Sequence, residues 1–195
     1  MNYDNGVARV GPAEFGYRAE GAGEQKILLL HGGNSHSGTW RKTFPALVHR
    51  YSVVAPSLPP HTGEVSAALV ERYSGYVEAI SRQLGITNAT VIGNSMGGWI
   101  GMRLVSLGGG IVSRLVLEDT AGAKSEEAKS LEGTSTPVLI VWGEDDDILP
   151  VSDGRGLHSR LSGSELKVVQ GARHVPHWEE PDVFNRLVAD FLQGG

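Results

Sequence analysis

The feature that most constrains the fold of this chain is a regular alternation of short apolar runs with longer amphipathic segments. The runs are continuously apolar, which is typical of strands in a parallel sheet covered on both faces. They comprise residues 27–30, 52–55, 90–92, 114–117, 138–142 and 166–169. This β-α-β-α string predicts an α/β fold: an open, mostly parallel sheet of about six to eight strands with helices on both faces.

The segments between these runs have the spacing of amphipathic helices. The clearest extends from Ser66 to Leu84, where apolar side chains recur every three or four residues and Gly85 marks the expected end. Residues 98–107, 154–161 and 181–192 occupy the other helical positions. Residues 15–19 are typical of an additional edge strand ahead of the parallel set.

Length and composition limit the classes of protein to which the chain can belong. Its 195 residues suit a single domain, which we expect to extend over residues 1–195. The net charge of −5 disfavours binding to nucleic acid, which depends on clustered Lys and Arg. Since the chain has no cysteine, disulfides, zinc–thiolate sites and a cysteine nucleophile are excluded.

The sequence has no feature that indicates secretion or membrane insertion. Residues 1–5 lack the basic stretch and apolar run of a signal peptide, and no apolar stretch approaches the roughly 20 residues that span a bilayer. We therefore expect a cytoplasmic protein whose partner is a small-molecule substrate, with neither nucleic acid nor membrane as a partner. The oligomeric state does not follow from the sequence.

The strongest local motif is GNSMGG at residues 93–98, directly between an apolar run and a helical segment. In a G-x-S-x-G elbow, the serine occupies a sharp, strained strand-to-helix turn. A Cβ two residues before or after Ser95 is expected to collide with neighbouring backbone, which accounts for both glycines. The turn also directs the N-terminus of the following helix at developing negative charge. A glycine-rich turn that only permits close packing is the alternative.

A second glycine-rich stretch, HGGN at residues 31–34, follows the first parallel run. Glycines at this position let a loop approach a reaction centre and present a backbone N–H. We predict that the N–H groups of Gly33 and Met96 form an oxyanion hole, with His31 in a structural role beneath the loop. An ordinary glycine-rich loop is the alternative.

Four segments, LLLHGGNSHSGTW, VIGNSMGGW, VLIVWGEDDDILP and GARHVPHWEEP, together resemble the α/β-hydrolase superfamily over nearly the whole chain. The resemblance implies a triad with Ser95 as the nucleophile. It maps the catalytic acid onto Asp146, three residues after Gly143, and the catalytic base onto His174. It implies no cofactor and no metal. Arg173 occupies the position where the family usually has a glycine. This departure bears on the geometry of the loop before His174 and not on the chemistry.

The chemistry of these three residue types supports the same assignment. A serine hydroxyl needs a base, an imidazole with a pKa near 6.5 suits that task, and an acid holds the imidazole in the required tautomer. Ser95, Asp146 and His174 follow one another in the chain order of this architecture, and each follows a predicted strand. Asp119, at the end of another predicted strand, is the alternative acid.

Several polar and aromatic side chains near the motifs are candidates for lining a substrate pocket. They are Asn34, His36, Trp99, His177 and Trp178. Packing in the core is the alternative for the two tryptophans.

Residues 119–136 are polar and can hold at most one short helix, although many relatives insert a helical cap there. With a cap absent or minimal, we expect a serine hydrolase that cleaves a small carboxylic ester, thioester or amide through an acyl-enzyme intermediate. A partner chain would be able to cover such an open site. The alternatives are a carbon–carbon bond hydrolase or an acyltransferase on the same triad, and a non-catalytic binding or scaffold protein.

Overall fold

The computed structural model describes residues 3–194, and its centre is a sheet of eight strands. In chain order the strands are β1 (Gly6–Val10), β2 (Ala13–Glu20), β3 (Lys26–Leu30), β4 (Ser52–Pro56), β5 (Ala89–Asn94), β6 (Val112–Glu118), β7 (Val138–Gly143) and β8 (Glu165–Val169). Their order across the sheet is β1-β2-β4-β3-β5-β6-β7-β8. Strands β3 to β8 are parallel, whereas β1 and β2 are antiparallel to their neighbours. The predicted open, mostly parallel sheet is confirmed.

The N-terminal edge of the sheet differs from the single edge strand expected at residues 15–19. Strands β1 and β2 form a hairpin whose turn contains Gly11 at a φ of 58°. Because β2 also pairs with β4, the edge of the sheet is β1. Periodicity did not reveal β1 because Ala8 is its one fully buried residue and Val7 is 56% exposed.

Helices cover the sheet on both faces. They are α1 (Phe44–Leu47), α2 (Ala67–Gln83), α3 (Met96–Leu107), α4 (Glu126–Ser130), α5 (Val151–Arg160), α6 (Pro176–Glu179) and α7 (Pro181–Gln193), with a 3₁₀ turn at Ser37–Lys42. The Ser66 side chain caps α2 by accepting a hydrogen bond from the Leu69 N–H (3.3 Å), and Gly85 follows its end at a φ of 60°. No helix within residues 3–194 is long and apolar enough to cross a membrane.

The core has two layers, one on each side of the sheet. On β3, Leu28 and Leu30 pack in one cluster with α2, α3 and α5, while Ile27 and Leu29 pack in the other with α1 and α7. This division follows from the two-residue repeat of a strand. It explains why the predicted strands are continuously apolar.

The segment between β6 and β7 contains one short helix, α4, as the sequence indicated. Ala128 of α4 is fully buried, and Glu127 accepts a hydrogen bond from the indole N–H of Trp99 on α3 (2.9 Å). The helix thus packs against α3.

Candidate active site

Ser95 lies in a sharp turn between β5 and α3. Its backbone has a φ of 51° and a ψ of −114°, a sparsely populated positive-φ conformation that costs a non-glycine residue about 1–3 kcal/mol. Surrounding backbone holds it there. The Ser95 N–H donates to the Glu118 carbonyl (2.9 Å), and the Ser95 carbonyl accepts from the N–H of Ala121 (3.1 Å).

The two glycines of the elbow are required by contact with backbone. A Cβ on Gly93 would overlap the backbone of Gly97, and a Cβ on Gly97 would overlap the carbonyl of Leu30 on the adjacent strand. The steric reason expected from the motif is confirmed at both positions. The turn is therefore built for close approach of α3 to the ends of β3 and β5.

His174 and Asp146 form a direct pair at the same edge of the sheet. The Nδ1 atom of His174 lies 2.8 Å from Oδ2 of Asp146, whose side chain is completely buried. The other carboxylate oxygen accepts hydrogen bonds from the N–H groups of Ile148 (2.8 Å) and Leu149 (3.0 Å). Because a carboxylate only accepts, Nδ1 of His174 carries the hydrogen of this bond.

The hydrogen bonds around Asp146 keep it ionised. Burial by itself raises the pKa of this carboxyl, but the bonds from His174 and from the Leu149 N–H outweigh burial, and its pKa lies below the ordinary value. An ionised carboxylate at this distance is the kind of partner that stabilises a protonated imidazole.

Asp119, the alternative acid, is adjacent but in a different state. Polar atoms of Asp119, Asp146 and His174 all lie within 4.8 Å of one another. Burial, followed by the charge of Glu118, raises the pKa of Asp119 to about 10, so it is a neutral acid at neutral pH. Its Oδ1 accepts the N–H of Gly143 (2.9 Å). A neutral Asp119 is less suited than the ionised Asp146 to orienting His174.

Two backbone N–H groups beside Ser95, one next in the chain and one in the same cavity, lack a partner within residues 3–194. Met96 is the first residue of α3, so its N–H has no carbonyl partner within the helix. Gly33 lines the same cavity as Ser95, and its N–H makes no hydrogen bond to residues 3–194. Both groups are available as donors to an oxyanion.

His31 supports the loop that carries Gly33. Its buried ring bonds the Gly32 carbonyl through Nδ1 (2.7 Å) and accepts the Leu58 N–H through Nε2 (2.8 Å). Burial lowers the pKa of His31 to about 4, so the ring is neutral and Nε2 is free to accept. The side chain thereby ties the glycine loop to the segment that follows β4.

Ser95 and His174 open onto one cavity of about 380 Å³. Besides these two, its lining consists of Gly32, Gly33, Asn34, Ser35, Thr39, His61, Gly63, Glu64, Val65, Asn94, Ile148 and Val175. An adjoining cavity of about 440 Å³ is lined by Tyr3, His36, Gly38, Arg41, Trp178 and Glu179 together with Ser35, Thr39 and Val175, which both cavities share. Eight of the fourteen residues that line the cavity of Ser95 carry polar side chains, and Val65, Ile148 and Val175 contribute apolar surface.

The predicted pocket residues are distributed over several places. Asn34 lines the cavity of Ser95, whereas His36 and Trp178 line the adjoining one. Trp99 lines a separate cavity of about 580 Å³ beside α4, because its indole turns toward Glu127. His177 corrects the prediction most clearly, since its ring is fully buried and lines neither cavity.

Two residues that motif analysis did not single out surround this buried histidine. Glu118 contacts Nδ1 of His177 through Oε2 (2.7 Å), and Thr39 contacts Nε2 through its hydroxyl (2.9 Å). A signal for Glu118 existed in the sequence, because an acidic residue at the end of an apolar run needs a buried partner. Thr39 carried no comparable signal.

Comparison with known proteins gives a match to the protein family described as alpha/beta hydrolase fold over residues 26–132. The uncharacterized hydrolase YugF of Bacillus subtilis is 21% identical over 88% of this chain and 91% of that protein. The dihydrolipoyllysine-residue acetyltransferase component of an acetoin cleaving system from Cupriavidus necator is 23% identical over 91% of this chain. The chain spans 66% of that protein, and the 250-residue alignment exceeds the chain's 195 residues, so the relative has residues without a counterpart here.

A shorter match is closer in sequence. A 2-hydroxy-6-oxononadienedioate/2-hydroxy-6-oxononatrienedioate hydrolase from Klebsiella pneumoniae is 43% identical over 58 residues, which are 30% of this chain and 20% of that protein.

Solved structures share the fold along the whole chain. A predicted CIB-like hydrolase from Thermoplasma acidophilum superposes with a TM-score of 0.85 at 22% identity, covering 97% of each chain. The carboxylesterase CesB of Bacillus subtilis gives a TM-score of 0.84 at 17% identity, covering 100% of this chain and 93% of that one.

Proposed function

We propose, from the premise that this chain belongs to the alpha/beta hydrolase fold family, that it is a serine hydrolase of small carboxylic esters, thioesters or amides. One observation carries the proposal. Ser95, on a strained turn with two free N–H groups nearby, opens onto the same cavity as the His174–Asp146 pair.

In the proposed reaction, Nε2 of His174 removes the proton of Ser95 as its Oγ attacks the substrate carbonyl. The resulting oxyanion accepts hydrogen bonds from the N–H groups of Gly33 and Met96. His174 then gives the proton to the leaving alcohol, thiol or amine, and an acyl-enzyme remains on Ser95. A water molecule, deprotonated by His174, hydrolyses the acyl-enzyme, and Asp146 holds the imidazole in position through both stages.

The proposal is tested by incubation of the protein with a fluorophosphonate probe, which forms a covalent bond with an activated serine. We expect stoichiometric labelling that is lost in Ser95→Ala and kept in Ser35→Ala, because Ser35 lines the same cavity but does not lie on the strained strand-to-helix turn. An unlabelled, folded wild-type protein would instead support the non-catalytic binding or scaffold alternative.

Hydrolysis of a carbon–carbon bond is the second candidate function. It is favoured by the 43% identity to the Klebsiella hydrolase over 58 residues. A 2-hydroxy-6-oxodienoate is the discriminating substrate. If turnover of this substrate exceeds that of every ester, carbon–carbon bond hydrolysis replaces the proposed reaction on small esters.

An acyltransferase on the same residues would instead transfer the acyl group to an added alcohol or thiol in competition with water.

The open cavity leads to an expected preference for short acyl chains. A ligand pocket normally buries about 70–90% of its ligand, and an open cavity of about 380 Å³ offers little enclosure for a long chain. Each methylene left in water forgoes the roughly 0.8 kcal/mol that burial provides. We expect kcat/KM for p-nitrophenyl esters to level off or fall beyond about butyrate. A continued steep rise toward octanoate would contradict the open site.

A further inference from the structure

A second chain of carboxylate, imidazole and hydroxyl runs beside Ser95, His174 and Asp146, and its members are Glu118, His177 and Thr39. The backbone N–H of His177 donates to Oε1 of Glu118 (2.6 Å), and Nδ1 lies 2.7 Å from Oε2. Nε2 lies 2.9 Å from the Thr39 hydroxyl. The side chains of Glu118 and His177 are 0% and 1% exposed.

The packing around His177 holds this chain rigidly. The ring stacks on Trp40 with centroids 4.0 Å apart and meets the edge of Phe184 at 5.9 Å. Buried polar groups in such surroundings cost free energy unless every one is hydrogen-bonded. The imidazole therefore has one allowed orientation, and Thr39 is the last residue of the hydrogen-bonded series Glu118–His177–Thr39.

The direction of the hydrogen bonds follows from the carboxylate. Since Glu118 accepts, Nδ1 of His177 carries the hydrogen, and in that tautomer Nε2 is an acceptor. The Thr39 hydroxyl must then donate to Nε2. Its oxygen lone pairs are left to accept a hydrogen bond from another group.

Thr39 lies where two cavities adjoin. It is partly exposed and lines both the cavity of Ser95 and the adjoining cavity that contains Arg41 and Trp178. Any substrate group that extends from Ser95 into the adjoining cavity passes the shared residues Ser35, Thr39 and Val175. Of these three, Thr39 is the one whose hydroxyl is oriented by a buried partner.

We propose that Thr39 binds a hydroxyl or N–H group of the substrate, with His177 and Glu118 as its positioning residues. The substrate class is then an ester that carries a hydrogen-bond donor near the scissile bond, such as a hydroxy ester. This inference rests on the proposed function and narrows it to donor-bearing substrates.

The test compares pairs of esters in which a hydroxyl replaces a methyl group. On the acyl side the pair is ethyl 3-hydroxybutyrate and ethyl 3-methylbutyrate, and on the alcohol side it is 2-hydroxyethyl butyrate and propyl butyrate. For each pair, the ratio of kcat/KM values is measured in wild type and in variants, so that intrinsic reactivity cancels between proteins. In at least one pair, Thr39→Val is expected to lower the hydroxyl-to-methyl ratio by roughly 3–10-fold, the worth of one hydrogen bond.

Two further variants separate recognition from a structural role. Thr39→Ser keeps the hydroxyl and is expected to restore the ratio, while Thr87→Val changes an exposed threonine that lines neither cavity and is expected to keep it. An equal ratio in wild type and Thr39→Val for both pairs would overturn the inference while leaving the proposed function intact. Absence of turnover for all four esters would overturn the proposed function, and the inference with it.

Discussion

Ser95→Ala is expected to lower kcat for activated esters by up to about 10⁶-fold, because no other hydroxyl can occupy the elbow position. The loss should appear in kcat measured with p-nitrophenyl acetate or butyrate under saturating conditions. The residual rate would come from substrate binding and from the N–H groups of Gly33 and Met96, which the substitution leaves in place. Removal of Oγ also leaves the strained backbone turn unchanged, so the variant should fold.

Circular dichroism and thermal unfolding provide the control for this variant, and Ser35→Ala provides the matched substitution of a second serine in the same cavity. If folded Ser95→Ala keeps more than roughly a tenth of the wild-type rate, the nucleophile must be another group.

Asp146→Asn is expected to lower kcat by about 10⁴-fold, the size of effect seen when a triad acid becomes an amide. Asp146 accepts the Nδ1 hydrogen of His174 at 2.8 Å. An amide that keeps its oxygen on the N–H groups of Ile148 and Leu149 would present its own NH₂ to Nδ1, and His174 would adopt the wrong tautomer. Steady-state kinetics on a short p-nitrophenyl ester measures the loss.

The neighbouring acids serve as matched controls for Asp146→Asn. Asp145→Asn and Asp147→Asn change exposed carboxylates, the second of which pairs with Arg173, and should leave kcat within a fewfold of wild type. Asp119→Asn imitates the neutral acid and should also keep most activity. A severe loss in Asp119→Asn together with an active Asp146→Asn would reverse the assignment of the acid.

Asp119→Asn has a further expected consequence for stability. The folded protein retains a proton on Asp119 up to a pKa of about 10, whereas the unfolded chain releases it near the ordinary 3.8. Because the folded state binds more protons between these values, this group's contribution to the free energy of unfolding falls as pH rises. Asparagine does not titrate. The Tm of the variant relative to wild type should therefore increase from pH 5 to pH 9, and an unchanged difference would show that Asp119 is already ionised.

Features that depend on near neighbours in the chain could be predicted from the sequence. The apolar runs of β3 to β8 specify strands covered on both faces, and Ser66 with Gly85 delimits α2. The GNSMGG motif similarly specifies the strained turn at Ser95, because only glycine fits two residues to either side. In each case the local structure is determined by a periodicity or a turn that residues close together in the chain impose.

Features that depend on where separate loops meet were decided by the tertiary structure. The sequence offered Asp119 and Asp146 as acids at two strand ends, and only the packing of these ends shows Asp146 bonded to His174 and Asp119 buried and neutral beside it. The sequence also offered His177 as a pocket residue. In the structure its ring is buried in the core, where it is hydrogen-bonded to Glu118, 59 positions away. The burial of a side chain and the identity of its partner depend on contacts between residues that are distant in the chain. No local pattern of residues predicts them.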